Sequence, residues 1–275
     1  MTVIDSLQVF DGVAEPLRHA IGQAVAAERL EGWQPTTGHV ADLVALAGAQ
    51  MSFGDYLSRY LKDIHRSRAP RPRRMFQRRR PYLIPGTAVL RNNFGVCEAE
   101  QLRELEFIAT AARLVQWHIT LIEGDVTTAD LDAARLHQHV FADVYAWAGS
   151  FRTVELRRGD SAFAWQSSVA HAVSAVERSA RRLVAQSHAL DTPGLAYEMS
   201  VLYAEYNRIH PFREGNGRTG TLLLHTVATL CGRRLDLATV TRDEWYRASR
   251  ESMPTRREGR AGHRPFLAIL GRALR

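Results

Sequence analysis

Eleven contiguous residues hold most of the chemistry available to this chain: His210-Pro-Phe-Arg-Glu-Gly-Asn-Gly-Arg-Thr-Gly220. Gly215 and Gly217 allow positive φ and let backbone approach a ligand closely. The segment lies between two helical patterns, so it forms a loop that opens a helix. Successive N–H groups at a helix start make an anion site, reinforced by the helix dipole. Arg218 falls in the first turn, within reach of further phosphate oxygens. Glu214 is the one carboxylate of the run, and beside phosphates it suits Mg²⁺, which favours one or two carboxylates plus substrate oxygens. His210 is a candidate general base, because an imidazole titrates near neutral pH. Phosphate binder, metal ligand and base together describe a nucleotidyl or phosphoryl transfer site.

Helices must hold that loop. Residues 192–208 precede it, and 218–230, with Leu222, Leu223, Leu224 and Val227, follow it. Apolar spacing predicts further helices over 98–121 (Leu102, Leu105, Ile108, Leu114) and 167–185. Thr127 with Asp130 opens a helix running through Phe141, and Thr241 with Glu244 caps another. The exception is 150–165, where Thr-Val-Glu-Leu, a Gly-Asp turn and Phe-Ala-Trp suit a hairpin. Ahead of this body, Leu17, Ile21 and Val25 mark one helix ending near Gly32. Val40, Leu43, Val44 and Ala47 mark a second. Ser52 with Asp55 three residues on caps a third, with an apolar stripe from Phe53 to Ile64. Three short helices make a thin core, so this region is expected to dock on the body.

The 275 residues are 45% hydrophobic and 24% charged, ordinary globular composition. No 18-residue apolar run is present, and the N-terminus has no signal-peptide pattern. Cys97 and Cys231 have neither metal spacing nor a disulfide framework, so the chain reads as cytoplasmic. The net charge of +7 suggests nucleic acid at first sight. However, Lys62 is the one lysine, and eight arginines lie between Arg66 and Arg80 beside Pro70, Pro72 and Pro81. That stretch reads as a solvated linker rather than a nucleic-acid surface. The organisation expected is 1–66 as a small helical region, 67–81 as linker and 82–275 as catalytic domain.

The run from His210 resembles the signature loop of the Fic family, His-Pro-Phe-x-(Asp/Glu)-Gly-Asn-Gly-Arg-x-x-Arg. Tyr82–Val96 and Leu136–Asp160, with its Trp-Ala-Gly turn, are similar to further family segments, so the likeness spans roughly 82–275. The fold it implies is mainly α, a Fic-type helical bundle with one β-hairpin flap. The activity it implies is AMP transfer from ATP to a hydroxyl of a target protein. His210 would be the base and Glu214 the Mg²⁺ ligand. Gly215, Asn216 and Gly217 would form the anion hole, with Arg218 on the distal phosphates and Phe212 packed inward. Arg158 and Gly159 hold the flap's Lys-Gly position and would count among the nucleotide-binding residues, and the flap would align a target segment by strand addition. Where the family has a second arginine, this chain has Thr221.

Val25–Arg66 is similar to the small three-helix antitoxins that accompany Fic toxins, whose inhibitory helix carries Ser/Thr-x-x-x-Glu-Gly. Glu31 and Gly32 match, while Ala27 stands at the leading position. The resemblance therefore implies a toxin autoinhibited in cis by an antitoxin-like region. Relatives of that type modify type II topoisomerase subunits, which makes those subunits the first target proteins to consider; neither a membrane nor nucleic acid is expected as partner. Two other readings stay open: a Fic protein that uses another nucleotide or removes AMP, and a degenerate Fic domain that binds only nucleotide or a partner.

Overall fold

Leu102, Leu105, Ile108, Val115 and Leu121 recur along one 25-residue helix, α4 (Ala99–Glu123), and the bundle is built around it. The structure, a computed structural model, describes residues 8–62, 80–159 and 161–275. The expected linker lies outside the described residues over 67–79, as does Asp160 of the hairpin turn. α1 (Glu15–Glu31) packs against α4 and reaches two later helices, over Asn216–Leu230 and Arg242–Glu251. Ile21, Val25 and Leu30 of α1 are buried in the same core as Leu105 and Ile108. α2 (Thr37–Ala47) and α3 (Phe53–Leu61) follow on α4, where Tyr56 donates to Ile108 O at 3.1 Å. Ser52 caps α3 from one side only: it accepts from Asp55 N, and its hydroxyl donates to the Asp55 carboxylate rather than completing a capping box.

The helix expected from Thr127 through Phe141 is two pieces. Thr127 and Asp130 do form a capping box, but on a single 3₁₀ turn, Thr128–Asp130. Leu131 leaves helical geometry (ψ 58°), and Asp132 then starts α5 (Ala133–Phe141) by accepting from Arg135 N. Two good caps in succession make two starts.

α6 (Val169–Gln186) and α7 (Thr192–Ile209) pack side by side, and α7 leads through the His210 loop into α8 (Asn216–Leu230). α8 is buried on nearly every face, with Arg218, Thr221 and His225 inside alongside Leu222, Leu223, Leu224 and Val227. Thr241 and Glu244 form the capping box that opens α9 (Arg242–Glu251). α10 (Arg264–Ala273), not foreseen from the sequence, closes on α7 and α9 through Phe266, Tyr203 and Trp245.

The hairpin is shorter than 150–165 suggests. Only β1 (Arg157–Arg158) and β2 (Ser161–Ala162) pair, with Arg157 opposite Ala162 and Arg158 opposite Ser161. Arg152 takes the carbonyls of Val154 and Ala164. Carbonyls bonded to a guanidinium no longer serve a ladder.

Candidate active site

The loop between α7 and α8 is bent at both ends. His210 ends α7 in left-handed geometry (φ 51°, ψ 63°), and its N–H donates to Tyr206 O at 3.0 Å. A non-glycine residue rarely holds that conformation, which costs roughly 1–2 kcal/mol. Gly215 (φ 79°) precedes α8, and a Cβ there would lie 2.2 Å from Phe141 Cζ. Only glycine satisfies both demands. Between the two bends, Asn216 closes the loop with its side chain: Phe212 N donates to Oδ1 at 2.8 Å, and Nδ2 donates to Phe212 O at 2.9 Å. Phe212 is fully buried.

A histidine given no role by the sequence holds the loop from outside. His137 on α5 stacks on Phe212 with centroids 3.9 Å apart. Its Nδ1 accepts from Gly149 N at 2.8 Å, so Nε2 carries the proton that reaches Glu214 O at 3.1 Å. Burial lowers its pKa to about 3, which keeps this tautomer in place. His139, two residues on, points to another face of α5 and reaches Arg113 O at 2.9 Å.

His210, Glu214, Gly215, Asn216, Gly217 and Arg158 line one cleft of about 210 Å³ with Glu31, Tyr203, Trp245 and Tyr246. The His210 ring lies on Phe163, centroids 3.8 Å apart and 9° from parallel, and Nδ1 is buried without a partner. Its pKa lies well below 6.5, chiefly through desolvation, then through Arg158 and Arg152. The imidazole is therefore neutral and able to accept a proton. The Glu214 carboxyl is raised by burial and by the Glu106 carboxylate, against the pull of Arg218. One carboxylate facing the cleft beside a row of helix-start amides fits a Mg²⁺ held jointly with phosphate oxygens.

Glu31 enters this cleft. It is the last residue of α1, which stops because Gly32 turns left-handed at φ 102°. The Glu31 carboxylate sits over Gly217, 1.7 Å from where a Cβ would stand, and Tyr246 O–H donates to it at 3.2 Å. Arg103 and Arg242 flank Gly32, where cations favour a helix C-terminus. Tyr246 was invisible to motif reasoning, as its link to the site depends on α9 meeting α1.

Two residues lie elsewhere than expected. Gly159 (φ 55°) faces open space at the flap tip and does not line the cleft. Arg218 also stays out of it. On the inward face of α8 it contacts Glu28 of α1 at 3.5 Å, Glu106 of α4 by a short ion pair, and Thr110 Oγ at 3.1 Å. The Glu106 carboxylate, with Glu28 and Thr110 beside it, outcompetes the open cleft for its guanidinium. Thr221 is buried too and donates to Arg218 O at 3.0 Å.

Glu28 is fully buried, and burial outweighs Arg218 to push its carboxyl up to about 8. The folded protein thus holds a proton that the unfolded chain releases above 4.5, so stability falls as pH rises through this window. Between pH 7 and 8 the buried His118 and His225, both lowered by desolvation, are neutral and stay so. Glu28 is expected to account for a loss of about 1 kcal/mol across that interval, read as the difference between wild type and Glu28→Gln, because buried histidines that titrate only in the unfolded chain contribute with the opposite sign to both proteins. Glu28→Gln, which keeps shape and an oxygen to accept from Thr110 at 2.5 Å, removes that contribution. Parallel stability profiles for the two proteins in urea would show Glu28 ionised in the folded state.

A family profile described as Fic/DOC matches residues 128–228. The chain is 36% identical to the "Probable protein adenylyltransferase y4lH" of Sinorhizobium fredii, over 57% of this chain and 79% of that protein. It is 33% identical to the protein adenylyltransferase VbhT of Bartonella schoenbuchensis, over 62% of this chain but only 35% of that longer protein. Among solved structures it is similar to the Fic domain of a putative cell filamentation protein of Bartonella quintana with bound ADP. There the TM-score is 0.57 at 21% identity, covering 70% of this chain and 94% of that one. It is also similar to BepC of Bartonella tribocorum with bound AMPPNP, at TM-score 0.56 and 18% identity, covering 70% and 96%. Those two likenesses bear on the fold.

Proposed function

The chain belongs to the Fic/DOC family, and from that premise we propose that it is a protein adenylyltransferase moving AMP from ATP to a hydroxyl side chain of a target protein. The observation that carries the reading is the convergence of a neutral His210, the Glu214 carboxylate and the first amides of α8 on one cleft. His210 takes the hydroxyl proton as the oxygen attacks the α-phosphorus. The bond from that phosphorus to the β-phosphate bridging oxygen breaks, and pyrophosphate departs with its electrons. The backbone N–H groups of Asn216 and Gly217 stabilise charge on the phosphate oxygens. Mg²⁺, when bound at Glu214, supplies further charge neutralisation there. Arg158, stacked near Phe163 and Tyr246, faces the cleft, as does Arg213.

The same reading makes α1 an inhibitory element. Glu31 stands on the amide cradle that phosphate would use, and the cleft of about 210 Å³ falls below the roughly 300 Å³ from which ligand pockets start. We read the chain as an autoinhibited bacterial toxin of the cytoplasm. Among the described residues, no helix is long and apolar enough to cross a membrane. Type II topoisomerase subunits are the first targets to assay. The test is incubation of purified protein with labelled ATP and Mg²⁺, with those subunits and alone. Absence of protein-bound label from both wild type and Glu31→Gly would refute transfer from ATP.

One observation favours a second reading on the nucleotide. Arg218 is engaged elsewhere and Thr221 is uncharged, so the site has less cationic reach toward a distal phosphate. Labelled GTP, CTP and UTP belong in the same assay.

A further inference from the structure

Arg152 is fully buried, and the nearest carboxylate, Glu155, is 3.9 Å away and half exposed. A buried cation with so weak a counter-charge is expensive. Its hydrogen bonds show what it does. Nε donates to His210 O at 2.8 Å and Nη2 to Ile209 O at 3.2 Å, the carbonyls at the end of α7 that have no partner within the helix. Its main-chain N–H donates to Pro211 O at 2.8 Å, while Ala164 N donates to Arg208 O at 3.0 Å. Four consecutive carbonyls, 208 to 211, are thus taken by the two stems of the flap. The guanidinium also ties those stems together, reaching Val154 O at 2.8 Å and Ala164 O at 2.5 Å. Arg257 braces the second stem from outside, donating to Phe163 O at 2.6 Å.

We propose that Arg152 is the positioning residue of this site: it holds the left-handed backbone at His210 and fastens both flap stems to it. Flap and base then move as one unit, so a segment aligned on β1 or β2 meets the imidazole in fixed geometry. The inference rests on the reading of His210 as the base. A planar fork with five donors can serve carbonyls from three segments at once, whereas lysine offers a point charge with three. Misplacing a reacting group by about 1 Å costs up to about a hundredfold.

The test uses the full chain carrying Glu31→Gly, with Arg152→Lys added. The expected result is a kcat for AMP transfer lower by about tenfold or more, with KM for ATP within about twofold. Hydrogen exchange should quicken at the amides of Arg152 and Ala164 and stay unchanged in α6. A kcat within twofold of the parent overturns the proposal, as does a parallel change in kcat and KM. If Arg152→Lys fails to fold, Arg257→Lys takes its place: a smaller fall in kcat is expected, and an unmoved kcat again overturns the proposal. His210→Ala in the same background separates the two claims. If it labels as well as its parent, the reading of His210 as the base fails, and exchange at Arg152 and Ala164 still decides whether the fork fastens flap to loop.

Discussion

Replacing His210 by alanine is expected to lower AMP incorporation by at least about a hundredfold, the usual scale for a general base. The substitution removes the neutral imidazole that lines the cleft. Loop geometry should largely survive, because Asn216, His137 and Arg152 fix the backbone without the imidazole. ATP affinity should therefore change by less than about twofold when measured in the Glu31→Gly background. Two controls sharpen the reading. His210→Asn keeps a polar side chain but has no basic nitrogen, so it should be as inactive as alanine. The rate for the unmodified loop should fall only at pH well below 6.5, since the His210 pKa is depressed by burial and by Arg158 and Arg152. An alanine variant that retained most of the activity, at unchanged ATP affinity, would move the base to another group.

Much of this site was legible in the chain because it is local. His210 to Gly220 sets its own geometry: one helix ends, glycine bends the backbone, and the next helix starts with free amides. Periodicity placed α1, α4, α6, α7 and α8 within a few residues, since each buries a continuous apolar face. Glu31 in the cleft could be anticipated only through the likeness of Val25–Arg66 to antitoxins, since nothing local in Ala27-Glu-Arg-Leu-Glu31-Gly32 points to a site 180 residues on. What the sequence hid is side-chain destination. Arg218 sits three residues into a helix whose amides face a phosphate site, so it reads as a phosphate ligand. Its direction depends on Glu28 and Glu106, from two other helices, and no spacing rule links them. His137 and Arg152 were hidden for the same reason. Each works by bonding main-chain carbonyls, and carbonyls have no signature in the sequence. Thr127 and Asp132 show a different limit: both are good caps, and only the structure shows that both are used.

Freeing the amide cradle is expected to raise AMP transfer about ten- to a hundredfold in Glu31→Gly or Glu31→Ala. The lower figure corresponds to about 1.4 kcal/mol and the upper to about 2.8, the range for hydrogen bonds to a charged group. The carboxylate has two supports in the cleft: the Tyr246 hydroxyl, and its seat over Gly217 at the start of α8. It also places a negative charge where a polyanionic nucleotide must come. Alanine is the cleaner change, because it removes the carboxylate and keeps α1 helical up to Gly32. Glu31→Gln should fall between wild type and alanine, as it loses the charge but still fills the cradle. Tyr246→Phe should give a smaller increase, since it removes one of the two supports. None of these changes touches the core through which α1 packs on α4, so melting temperatures should stay within a few degrees. This separates release of the cleft from detachment of the helix. Glu28, three residues earlier, belongs to that packing rather than to the cleft, and Glu28→Gln should leave transfer near the wild-type rate. If Glu31→Ala and Glu31→Gly both label no faster than wild type while His210 proves essential, the carboxylate does not restrain the nucleotide site, and α1 serves only to complete the core.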